Sequence, residues 1–108
     1  MPCSLWRPCA LLLSVLPAAA LAGPADEPAL APATVAVIAA SCVGCHGPGG
    51  HSATVIPSIA GLPESQLRAR LLAFRNGTAP DATIMTRLMK GYDEPQIAAL
   101  ARWFAQER

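Results

Sequence analysis

Apolar residues recur at helical spacing in three stretches of the chain, and no run alternates with the two-residue period of a half-buried strand. Val35, Ile38, Ala39 and Cys42 share one face of a first helix, expected to run into Cys42 and stop at the glycine-rich segment Gly44 to Gly50. Leu67, Leu71 and Phe74 mark a second helix, with Pro63 in its first turn, Glu64 near its positive end and Asn76-Gly77 to close it. Ile97, Leu100, Ala101 and Phe104 form the stripe of the last helix. Asp93 is its expected N-cap, with Gln96 three residues on and Pro95 in the first turn. Phe104 is expected to pack inward against the first helix. Trp103, on the adjacent face, is either a residue at the edge of a bound group or part of a docking surface.

The segments between these helices are weaker in pattern. His51 to Leu62 contains Pro57 and Gly61, keeps no period and is expected to be a loop, with His51 an exposed surface residue. After a turn at Ala79 to Asp81, the stretch Thr83 to Gly91 has room for one short helical turn closed by Gly91. No internal repeat is present. The predicted fold class is all-α.

Ahead of the helices lies a different kind of sequence. Arg7 precedes a mostly apolar run from Cys9 to Leu16, and Pro17 then leads into Ala18-Ala19-Ala20-Leu21-Ala22, with the small residues of a cleavage site. The run falls well short of the roughly twenty residues that cross hydrocarbon. Residues 1–22 are therefore expected to be a secretory signal peptide cleaved after about Ala22, which places the protein in the periplasm. Residues 23–32 hold three prolines in ten positions and are expected to form a flexible lead-in. Residues 33–108 form the domain, and the mature chain offers no other candidate membrane span.

Composition narrows the choices. Hydrophobic residues make up 53% of the 108 and charged residues 14%, which excludes disorder. A net charge of +1 excludes a strongly basic nucleic-acid binder. Removing Arg7 with the leader leaves seven basic against seven acidic side chains, so charge alone points to no partner. Cys3 and Cys9 leave as well, and only Cys42 and Cys45 remain. Exported domains this small usually add disulfides, a metal or a cofactor to a modest core.

Cys42-Val43-Gly44-Cys45-His46 is the one strongly specific motif. Two thiols separated by two residues can each add to a vinyl group of one haem, and the next residue, His46, is then placed to ligate its iron. Three other readings compete. A thioredoxin-like pair belongs beside a βαβ pattern, and none is present. A zinc site needs two further ligands, for which His51 is the only spare candidate. A disulfide across two residues leaves the core unfilled. Covalent haem c fits best. Met85 and Met89 both lie far enough along the chain to reach the iron's opposite face, the other serving as core filler.

The mature chain resembles a class I c-type cytochrome. Ile56 to Gly61, Ala73 to Gly77, Ala82 to Arg87 and Lys90-Gly91-Tyr92 resemble the monohaem cytochrome subunit of flavocytochrome c sulfide dehydrogenases. The resemblance covers the chain from about Ala33 to its end. It implies three to four short helices around one covalent haem, in a protein that carries electrons and has no substrate chemistry of its own. Met85 matches the family's methionine and is the implied distal ligand. Pro57 matches the loop proline whose carbonyl receives the ring N–H of the proximal histidine, and Ile56, Ile59, Leu67, Leu71 and Phe74 would wall the ring. Tyr92 would donate to a haem propionate or cap a turn.

The implied partner is an FAD-containing sulfide dehydrogenase subunit, with other redox proteins beyond it. Where the family often has a basic residue before its Ala-Thr-Ile-Met segment, this chain has Thr78-Ala79-Pro80-Asp81, which puts any contact from such a residue in doubt. The alternatives are a freely diffusing cytochrome serving an oxidase or another dehydrogenase, a ligand-binding or peroxidatic haem protein with an open iron position, and a thiol-redox or zinc module.

Overall fold

The computed structural model describes residues 29–108; the expected signal peptide and residues 23–28 of the lead-in lie outside them. The described residues form four α-helices and no strand: α1 (Pro32–His46), α2 (Glu64–Asn76), α3 (Ile84–Leu88) and α4 (Glu94–Gln106). Single 3₁₀ turns follow α1 at Pro48–Gly50 and α3 at Met89–Gly91. The all-α expectation holds. None of the described helices is long and apolar enough to cross a membrane.

α1 begins one residue inside the expected lead-in, because Pro32 takes the first helical position, where its missing N–H costs no hydrogen bond. It also continues past the expected stop at Gly44 and carries the whole Cys42–His46 motif. Gly44 is tolerated inside the last turn, and the helix ends instead at Gly47, which has φ +84°. A side chain at Gly47 would place its Cβ 2.0 Å from the carbonyl oxygen of His51, so the turn requires glycine. α2 ends at Asn76 with Gly77 as its left-handed cap, as expected. α4 is held at its start by a complete capping box. The Asp93 carboxylate accepts from the Gln96 backbone N–H at 2.8 Å, and the Gln96 side chain accepts from the Asp93 N–H at 3.0 Å.

α4 packs against both α2 and α1. Ala39 of α1, Leu67 of α2, and Leu100, Ala101 and Phe104 of α4 form the central cluster. Ile97 and Leu100, both on α4, are the largest fully buried side chains among the described residues. The segment from His51 to Pro63 is a loop, and it is pinned at several points. The Ile59 N–H donates to the Gly50 carbonyl at 2.9 Å and the Gly61 N–H to the Phe104 carbonyl at 2.9 Å. Gly50, at φ +84°, lies so close to Phe104 and Ile59 that a Cβ would stand 2.9 and 3.0 Å from their side chains. Trp103 packs onto the central cluster and shares a surface groove with Leu30, Pro32 and Val35.

Candidate cofactor site

The last turn of α1 gathers the motif. Cys42 and Cys45 are three positions apart, and Cys42 and His46 four, so Cys42 has both of the others as neighbours on the helix surface. Both thiols are free, Cys42 half-buried and Cys45 exposed. Burial pushes the Cys42 thiol above its ordinary pKa, against a smaller opposing effect of Ser41. Among the described residues no three of His, Cys, Asp or Glu come together as a metal-binding set.

His46 is 7% exposed, and its Nδ1 lies 2.6 Å from the carbonyl oxygen of Pro57. A carbonyl can only accept, so Nδ1 carries the proton, and in the neutral ring Nε2 is the nitrogen with the lone pair. The loop that supplies this carbonyl is built to stay in place. The Ser52 N–H donates to Ser58 Oγ at 2.8 Å, and Thr54 and Ile56 each donate a backbone N–H to a preceding hydroxyl at 3.1 and 3.2 Å. Ile59 then turns onto Gly50 and the central cluster. His51 is exposed, as expected.

The two methionines differ. Met89 is 2% exposed and serves the core, whereas Met85, in the first turn of α3, is only half-buried. Beside it, Thr86 Oγ1 is buried with no hydrogen-bond partner, an uncommon state for a hydroxyl. Of the apolar residues expected to wall a ring, Leu67 belongs to the central cluster, Ile59 and Leu71 pack against it, Phe74 is half-buried outside it and Ile56 is exposed. Ile84 and Leu88 are 61% and 52% exposed. The chain's own side chains leave this apolar surface uncovered.

Three polar arrangements escaped sequence reasoning. Tyr92 Oη lies 2.9 Å from Ser41 Oγ, which itself donates to the Ile38 carbonyl at 2.7 Å, so Tyr92 is the donor to Ser41. Tyr92 also caps the 3₁₀ turn, as one of its two expected roles has it, its N–H donating to the Met89 carbonyl at 3.2 Å. Arg70 pairs with Asp81, and its guanidinium stands 4.6 Å from the Phe74 ring centroid. The acidic residue in the segment that departs from the family pattern is thus held to α2. Thr86 is the third. The only sequence signal for any of these was opposite charge at Arg70 and Asp81.

The donor set fits a covalently bound haem. Two free thiols stand at the required spacing, one imidazole offers a bare Nε2, one methionine lies outside the core, and a buried hydroxyl lacks a partner. The comparisons agree with the chemistry. The cytochrome c family model matches residues 22–106. Over 88 residues, 79% of this chain and 79% of the relative, the sequence is 40% identical to the cytochrome subunit of sulfide dehydrogenase from Chlorobaculum tepidum. Over 70 residues, 63% of this chain, it is 39% identical to a thiosulfate dehydrogenase electron acceptor from Thiomonas intermedia, of which it spans about a third (32%). The chain belongs to the cytochrome c family, and its role is that of an electron carrier with no catalytic reaction of its own.

Proposed function

We propose that this chain is an exported, single-haem electron carrier that takes electrons from an FAD-containing sulfide dehydrogenase subunit in the periplasm. The hydrogen bond from His46 Nδ1 to Pro57 carries the reading of the site, because it leaves Nε2 as the imidazole's metal-binding atom. The 40% identity to a sulfide dehydrogenase cytochrome subunit supports the choice of partner. When bound, the haem supplies an iron that cycles between ferric and ferrous and so carries one electron at a time.

The chain's residues do the rest. Cys42 and Cys45 would hold the ring through thioethers, and His46 and Met85 would ligate its iron. A thioether paired with an imidazole would set a higher potential than two imidazoles. Pro57 fixes the tautomer and orientation of His46 and raises its basicity as a ligand. Ile59 braces the loop and lines the ring. Because Cys45 is exposed, the edge it holds is accessible to a partner. Residues 1–22 are the export signal, residues 23–32 the lead-in, and residues 33–108 the haem domain.

A second reading rests on a separate observation. The relative named as a thiosulfate dehydrogenase electron acceptor favours a carrier that meets its donor transiently. Balanced mature charge argues against this, since it offers no strong steering field. Co-purification at low salt separates the two. A permanent subunit elutes with flavin absorbance and is reduced by sulfide; a monomer without flavin, left ferric by sulfide and the candidate flavoprotein, establishes the diffusing carrier instead.

A further inference from the structure

The segment from Ala82 to Gly91 carries Met85, and Tyr92 immediately follows it. The Tyr92 N–H closes the 3₁₀ turn on Met89 at 3.2 Å, and the capping box of α4 begins at Asp93. Tyr92 therefore sits at a rigid joint. Its ring packs on the central cluster while its hydroxyl reaches α1 at Ser41, one residue before Cys42. Ser41 spends its own proton on the Ile38 carbonyl, so it offers Tyr92 an oriented acceptor. The bond joins positions 51 residues apart.

We infer that the Tyr92–Ser41 hydrogen bond ties the segment bearing Met85 to the helix bearing Cys42 and His46, and so governs how readily Met85 leaves the iron. Both are positioning residues. Neither touches iron; they hold two ligand-bearing elements in register. The inference rests on Met85 being the distal ligand. Loss of the bond frees the segment to move off as a unit, because the helical turns between Met85 and Tyr92 transmit displacement at one end to the other.

The test is imidazole binding to the ferric holoprotein, followed by loss of the sulfur-to-iron charge-transfer band. Tyr92→Phe keeps the ring and removes only the donor. Ser41→Ala removes the acceptor at an exposed site. Each is expected to bind imidazole about threefold more tightly than the wild type, a change of the order that one neutral hydrogen bond contributes. The double variant is expected to match either single variant, since both remove the same bond. Arg102→Ala, which breaks the 3.6 Å pairing with Glu64 between α4 and α2, is expected to leave imidazole affinity unchanged. Wild-type affinity in Tyr92→Phe overturns the inference, as does an effect that Ser41→Ala does not share or that adds in the double variant. A wild type without the charge-transfer band removes the Met85 assignment itself, and the inference with it.

Discussion

His46 Nδ1 stands 2.6 Å from the carbonyl oxygen of Pro57, eleven residues further along the chain. The contact links the end of α1 to the middle of a loop with no regular structure, and it leaves one nitrogen of the imidazole for a metal. The loop is short of hydrophobic anchors, so its shape depends on Gly50, Ile59 and the hydroxyl bonds of Ser52, Thr54 and Ser58.

Gly50→Ala tests that dependence. The new methyl group meets the Phe104 ring at 2.9 Å, and the position demands a positive φ. Overpacking and backbone strain together are expected to cost about 2–4 kcal/mol of holoprotein stability, read by denaturant unfolding. A variant as stable as the wild type would show that the loop tolerates displacement from α4.

The methionines are separable. Met85→Ala is expected to abolish the sulfur-to-iron charge-transfer band and lower the reduction potential. Met89→Leu replaces one buried apolar side chain with another and is expected to keep both signals at a stability cost under about 1.5 kcal/mol. The reverse pattern moves the ligand to Met89, one helical turn along.

Much of this architecture was legible in the sequence because it depends on neighbours a few residues apart. The α4 capping box, the Gly77 stop of α2 and the loop around Pro57 all follow from local patterns. The end of α1 did not follow. Gly44 looks like a breaker, yet a single glycine costs a helix only about 1 kcal/mol, and Gly47 has the conformation that actually ends it. The tie between Ser41 and Tyr92 had no local signature, since it is formed only when α1 and the chain before α4 meet. The motif around Cys42, Cys45 and His46 was visible because its chemistry depends on spacing alone.

The Arg70–Asp81 pair makes a pH-dependent contribution whose sign is fixed. The Arg70 guanidinium hydrogen-bonds the Asp81 carboxylate and holds it below its ordinary pKa of 3.8. A lowered folded pKa gives stability that is present above that value and lost as pH falls through the depressed one. Asp81→Asn is therefore expected to flatten the acid limb of the stability profile slightly while leaving values at pH 7 and above nearly parallel. Because both partners are exposed, added salt is expected to shrink the difference. An acid limb identical to the wild type would show that the pair makes no net contribution.

Asp93→Ala removes the acceptor for the Gln96 N–H and half of the capping box. The expected loss is about 1 kcal/mol in thermal or denaturant unfolding, with the charge-transfer band retained. A lost band would mean that the start of α4 is needed to keep the segment bearing Met85 in place.

The central claim is that haem is held covalently through both Cys42 and Cys45, and the mass of the purified mature protein after acid–acetone extraction tests it most directly. The account predicts a chain beginning near Gly23, heavier by one haem that extraction does not remove, with neither Cys42 nor Cys45 available to a thiol reagent. Recovery of free haem, or a chain of apoprotein mass with two titratable thiols, would contradict it.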